Sequence, residues 1–285
     1  MTFKYIRQAV LSLFALTLAA PVAVSAQSDT GLRALDTDHE ARGWEAVGRL
    51  DTGSGYCTGT LIAPHLVLTA AHCVYDLGNG KATKAEKFTF RAGFRNGEAA
   101  ATRQVSRVAA HPGFDPSAAF NSDNVSHDLA LIELSKPIPS SEINPFALHD
   151  ERVSPGEVSV VSYGRGRSEV QSRQRGCEML ERQRNLMAFD CDVTKGSSGA
   201  PVFSHLNGRG RILSVISGEV TIDGREVALG MHLPPLIDEL KRELVSTNTG
   251  PVAQVKRVQA GQRSGGAFQS KKRVSGAKFV RAPGS

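Results

Sequence analysis

Aromatic side chains are scarce in this 285-residue sequence, at 6% of residues with a single Trp. Set against 28 Gly and 13 Pro, that scarcity argues against long helices and for many turns joining short strands. Long apolar runs are also missing from the body of the chain, which excludes an integral membrane protein built on helices. No heptad pattern, Gly-X-Y period or internal repeat is present, so a coiled coil and a collagen-like chain are excluded. Only four cysteines occur, Cys57, Cys73, Cys177 and Cys191, and their spacings match no zinc pattern. Acidic residues are absent from Thr247 to Ser285, which holds eight basic ones.

That last absence explains the net charge of +6. Without the eight tail cations and Lys4 and Arg7 near the start, 24 basic residues face 28 acidic ones, so the central body is mildly acidic. The basicity belongs to a tail, not to a nucleic-acid-binding fold. Residues 247–285, rich in Gly, Ser, Gln and Lys, are expected to be disordered. At the other end, Lys4 and Arg7 precede an apolar stretch around Ala9–Ala20. Pro21 and the small residues Val24-Ser25-Ala26 follow. Residues 1–26 read as a secretory signal peptide cut after Ala26, with no transmembrane anchor left after removal. Export to a periplasm or beyond the cell would let the cysteines oxidise.

What is present is apolar in 40% of positions, enough for a substantial core. A polar segment, 27–43, reads as a short propeptide or a flexible start. About eleven short strands follow in two groups. The first group comprises Glu45–Leu50, Tyr56–Ile62, Leu66–Ala70, Phe88–Phe94, Gln104–Ala109 and Leu129–Leu134. The second comprises Glu157–Tyr163, Leu186–Phe189, Pro201–Phe203, Ile212–Ser217 and Glu226–Leu229. One helix, Pro235–Val245, carries Leu236, Ile237, Leu240 and Leu244 on one face. The expected organisation is an all-β body of two antiparallel units, 44–140 and 141–246, the second including the helix.

Three segments carry reactive residue types. Thr69-Ala70-Ala71-His72-Cys73 follows an apolar strand, and His127-Asp128-Leu129-Ala130 puts an acid at the start of another. Gly196-Ser197-Ser198-Gly199-Ala200-Pro201 is a small-residue loop entering a third. A serine hydroxyl is a poor nucleophile at neutral pH without an adjacent base. An imidazole, with an ordinary pKa near 6.5, is a suitable base, and a carboxylate on its other nitrogen holds the required tautomer. Asp123 competes with Asp128, but only Asp128 adjoins an apolar run. Ser197 competes with Ser198. His65, His111 and His127 read as ordinary turn residues.

These segments, with Cys57-Thr58-Gly59-Thr60-Leu61-Ile62, resemble the chymotrypsin-fold serine proteases from about Trp44 to Leu240. The exported bacterial trypsin-like and glutamyl-endopeptidase-like branch is the most similar, and the order His, Asp, Ser is the chymotrypsin order. The resemblance implies two six-stranded antiparallel β-barrels with a C-terminal helix and the basic tail beyond. It implies His72, Asp128 and Ser198 as catalytic triad, the N–H groups of Gly196 and Ser198 as oxyanion hole, and disulfides Cys57–Cys73 and Cys177–Cys191. No metal or organic cofactor is implied. The partners are protein or peptide substrates, with no nucleic acid required, acted on by a monomer.

Two departures matter. Trypsins that mature by cleavage pair a new N-terminal amine with an Asp just before the nucleophile. Here that position is Ser197, so the loop must be held by its own hydrogen bonds and by Cys177–Cys191. Asp192, six residues before Ser198, stands where trypsins place the floor of the primary pocket and would favour Arg or Lys before the scissile bond. Ser217 and Gly218, in Val215-Ile216-Ser217-Gly218, would form the opposite wall. That segment lacks the His by which glutamyl endopeptidases bind a carboxylate. The reading from another class is a catalytically silent barrel whose basic tail engages anionic surfaces.

Overall fold

The computed structural model describes residues 31–150, 155–205 and 210–246. The expected signal peptide and basic tail lie outside these residues. Among the described residues fifteen strands form, four more than the hydrophobic patterning predicts.

The described part of the segment expected to be a propeptide or flexible start, 31–43, holds β1 (Leu32–Ala34) and a one-turn α1 (Asp38–Ala41). A reciprocal cap between Thr37 and Glu40 closes the first turn of α1. Next come β2 (Val47–Asp51), β3 (Tyr56–Ala63) and β4 (Leu66–Thr69), and a single 3₁₀ turn, Ala71–Val74. A short hairpin of β5 (Tyr75–Asp76) and β6 (Lys81–Ala82) precedes β7 (Thr89–Ala92) and β8 (Ala101–Ala110). The one-turn α2 (Ser122–Val125) leads into β9 (Ala130–Leu134). Strands pair in the order β2-β3-β4-β9-β8-β7, and β7 returns to β2 through pairs such as Leu50↔Phe90, closing a six-stranded antiparallel barrel. Leu50, Leu61, Leu68, Phe90 and Leu131 fill its interior and are fully buried.

The second barrel uses β10 (Gly156–Gly164), β11 (Arg167–Gln183), β12 (Leu186–Phe189), β13 (Pro201–Ser204), β14 (Arg211–Ile222) and β15 (Arg225–Met231). Their order is β11-β10-β13-β14-β15-β12, and β12 pairs back onto β11 (Met179↔Phe189) to complete the ring. The strand of this barrel missed by patterning is β11. Its 17 residues are mostly charged or polar, and only a minority face the interior. β1 adds to its outer edge, Leu32↔Gln174 to Ala34↔Ser172, and satisfies backbone groups that an edge would leave exposed.

The last helix, α3 (Pro234–Ser246), belongs with the first barrel in space although it follows the second in sequence. Leu236, Ile237, Leu240 and Leu244 join the first barrel's core, and Arg107 on β8 donates to the Leu244 carbonyl at 2.8 Å. No described helix is long and apolar enough to cross a membrane. The one Trp lies at the seam between the barrels. Trp44 packs on Phe146 (centroids 5.7 Å apart) and Phe203 (5.3 Å), and the Arg173 guanidinium lies 4.4 Å over its ring. Trp44→Ala is expected to destabilise the protein by about 3 kcal/mol. Ile222→Ala, at an exposed hairpin position, should stay within about 0.5 kcal/mol. Urea unfolding midpoints check both, and equal shifts for the two would refute the seam assignment.

Candidate active site

The turn that carries His72 is set by what surrounds it. β4 ends at Thr69, whose hydroxyl donates to the Thr58 carbonyl (2.8 Å), and the chain then tightens into the 3₁₀ turn. Cys73, on that turn, is bonded to Cys57 on β3. Closing this 16-residue separation contributes about 3 kcal/mol in the chain-entropy view. Asp128 sits just before β9, which pairs with β4 (Thr69↔Ala130), so the sheet brings the carboxylate to the imidazole.

Asp128 is only 2% exposed. Its Oδ1 accepts from the His72 backbone N–H (2.8 Å), and its Oδ2 lies 2.7 Å from His72 Nδ1. Oδ2 also accepts from the Ser217 hydroxyl at 2.5 Å. With the Nδ1 proton directed at Asp128, Nε2 is left as the basic nitrogen. Burial of the ring opposes its protonation, but the charge and hydrogen bond of Asp128 outweigh it. The His72 pKa therefore lies above its ordinary 6.5.

Ser198 comes from the second barrel. Its carbonyl accepts from Thr58 N–H on β3 (2.8 Å), and Gly199 N–H donates to the Ile216 carbonyl on β14 (2.8 Å). The turn needs backbone that only glycine adopts freely: φ is +97° at Gly196 and +80° at Gly199. A Cβ on Gly196 would lie 2.5 Å from the Tyr56 ring, and one on Gly199 would collide with the Thr58 carbonyl. Among the described residues, neither Gly196 N–H nor Ser198 N–H donates to a protein acceptor.

His72, Asp128 and Ser198 line one cleft of about 370 Å³, together with Ser217 and Gly218. Ser198 makes no hydrogen bond to His72 here; the group nearest Nε2 in the hydrogen-bond network is Cys73 Sγ, at 3.7 Å. Such contacts are commonly loose in free enzymes and tighten when substrate is bound. The competing residues lie elsewhere. Ser197 is fully buried, with its hydroxyl donating to Ser162 Oγ (3.1 Å), and Asp123 lies in α2 away from the cleft lining. His111 stacks on His127 (5.1 Å) and faces Glu239 of α3 (3.0 Å); neither ring lines the cleft.

The model of the family described as Trypsin matches residues 36–225. The chain belongs to the trypsin family. Its disulfides join Cys57 to Cys73 and Cys177 to Cys191. Among curated proteins, it is similar to a glutamyl endopeptidase of Bacillus licheniformis, 25% identical over 67% of this chain and 58% of that protein's length. An uncharacterized peptidase of Corynebacterium glutamicum is 25% identical over 81% of this chain and 79% of its own length. Among solved structures, a Glu endopeptidase superposes with a TM-score of 0.64 at 18% identity, covering 76% of this chain and 98% of that one. That likeness shows the shared fold.

In this trypsin-family chain, the role of Arg167 behind the Ser198 turn and the partner of the Ser217 hydroxyl escaped the sequence reading. Arg167, on β11, donates to the Ser162 carbonyl (3.2 Å) and reaches the Ser197 hydroxyl at 3.5 Å. Burial pushes its pKa down, and the charge of Asp192 opposes that. Asp192 itself lies outside the cleft lining. Val193, Thr194 and Lys195 occupy that wall instead, and the Asp192 backbone N–H is held by Gln174 Oε1 (2.6 Å). The sequence placed Ser217 in the pocket wall, which it lines, but its hydroxyl serves Asp128. Arg167→Met should destabilise the fold by about 1–3 kcal/mol, because buried acceptors around Ser162 and Ser197 lose their donor. An unchanged urea midpoint would refute that role.

Proposed function

We propose that the protein is an exported serine endopeptidase that cleaves peptide bonds through an acyl-enzyme on Ser198. The buried Asp128–His72 pair carries the reading, with His72 and Ser198 lining the same cleft. In acylation, Ser198 Oγ bonds to the substrate carbonyl carbon and its proton passes to His72 Nε2. The oxygen gains charge and accepts from Gly196 and Ser198 N–H, donors that no described protein group uses. Each such donor is worth about 3–4 kcal/mol in the transition state. The C–N bond then breaks, the leaving amine takes the proton from His72, and a water activated by Nε2 hydrolyses the ester. Protein or peptide substrates follow from this chemistry.

Export is supported by two disulfides, which persist in oxidising compartments, and by the leader-like start of the sequence. Cleavage after Lys or Arg is supported by the charge of the cleft. Asp115 and Glu219 line it beside the buried Asp128, against a single Lys195.

A fluorophosphonate probe should label the wild-type protein at one residue, Ser198, and Ser198→Ala should abolish both labelling and peptide hydrolysis while remaining folded. A folded wild type that resists the probe would favour the silent binding barrel. The sign of the pH dependence follows from His72. Catalysis needs neutral Nε2, and Asp128 raises the pKa, so kcat/KM should fall on acidification with a midpoint above 6.5. Asp128→Asn removes both the raising influence and the tautomer, and should lower kcat by about 10⁴. A midpoint below 6.5 in the wild type would contradict the pairing.

A further inference from the structure

We propose that Glu219, rather than Asp192, is the group that selects a cationic side chain on the residue preceding the scissile bond. The inference rests on the endopeptidase reading and names the substrate class of the same cleft.

Glu219 lies on β14, two residues beyond the Ser217 that holds Asp128, and it lines the cleft that Ser198 faces. The other charges facing that cleft are already committed or opposed. Asp128 accepts its three hydrogen bonds, and Asp115 is held by the backbone N–H and hydroxyl of Ser117 (2.8 and 2.6 Å). Lys195 makes no ion pair with Glu219, and no described Lys or Arg does. The charged neighbours that Glu219 does feel are both acids, Glu226 across the hairpin and Asp192 behind the wall. Burial and these two charges hold its carboxyl above the ordinary 4.5. A cation entering the cleft meets a carboxylate with no partner, and its arrival relieves repulsion within the group.

Asp192 is differently placed. It lies outside the cleft lining, and its charge stabilises the buried Arg167 behind the nucleophile turn. Apolar side chains share the cleft lining with Glu219. Phe114, Val193 and Ile216 are among them, and Phe120 lies over Gly218, where an added Cβ would come 2.9 Å from the ring. Apolar lining beside an exposed carboxylate with no ion-pair partner suits a long methylene stem with a charged tip, as in Lys or Arg. Because Glu219 is itself exposed, the attraction is partly screened and should weaken with salt.

The test compares kcat/KM on three peptide amides that differ only before the scissile bond, carrying Lys, norleucine or Glu. Active enzyme is counted in each variant by fluorophosphonate labelling of Ser198, so a folding defect does not pass for a change of preference. The wild type should prefer Lys over norleucine. Glu219→Gln should reduce that ratio roughly tenfold, chiefly through KM, and Glu219→Lys should shift preference toward the Glu peptide. Raising the salt concentration should lower the wild-type ratio and leave that of Glu219→Gln flat. Labelled wild type that prefers norleucine or Glu overturns the inference and leaves the peptidase reading standing. So does a Lys preference that survives Glu219→Gln and is lost in Asp192→Asn. Absent labelling of the wild type takes down the peptidase reading, and the inference with it.

Discussion

A carboxylate that is 2% exposed is held in place by three hydrogen-bond donors, and the proposed catalytic geometry depends on them. Burying an ionised Asp128 costs several kcal/mol unless its lone pairs are filled. His72 supplies two donors, its backbone N–H and its Nδ1–H, and Ser217 supplies the third. The first two come from the same barrel as Asp128 and the last from the other barrel. One small network therefore compensates a buried charge, orients the imidazole and fixes the approach of β14 to the first barrel. Loss of the His72 N–H leaves Oδ1 without its donor, and loss of either Oδ2 donor leaves that oxygen with one partner in place of two.

The nucleophile turn is tied across the same seam by Thr58. Its backbone N–H donates to the Ser198 carbonyl, and its hydroxyl donates to the Gly196 carbonyl (2.9 Å) while accepting from Tyr163 N–H (3.0 Å). The carbonyls of Gly196 and Ser198 are thus both engaged by Thr58, while their N–H groups donate to no described protein acceptor. Below the turn, Arg167 and the Ser162–Ser197 pair stand where other trypsin-family chains use an Asp before the nucleophile. A guanidinium built into β11 is present as soon as the barrel closes. Among the described residues, the turn is held from β10 and β11 through Ser162 and Arg167.

The two barrels and the three reactive segments were legible because their signals are local. Apolar runs such as Leu66–Thr69 and Ala130–Leu134 mark buried strands, and small residues around Ser198 mark a tight turn. Other features had no such signal. β11 is long but largely charged, so its sequence reads as loop, and pairing with β10, β12 and β1 overrides that composition. The β14–β15 hairpin extends beyond the expected strands to Ile222 and Arg225. Its Asp223-Gly224 turn, with φ of +49° and +75°, was a readable hairpin signal. Arg167 and Glu219 are ordinary charged residues by sequence. Their roles arise from which side of the nucleophile turn each one faces, and that is set by tertiary structure. The counting rule that pointed to Asp192 assumes the loop geometry of other trypsins; here Asp192 lies outside the cleft lining, and its charge acts on Arg167.

The account turns on the ionic pairing of imidazole 72, and NMR of that ring in the free protein tests it most directly. The network predicts a strongly downfield Nδ1 proton near neutral pH and an Nε2 nitrogen that titrates above 6.5. A ring that carries its proton on Nε2 in the neutral form, or that titrates below 6.5, would contradict the arrangement on which the proposed chemistry stands.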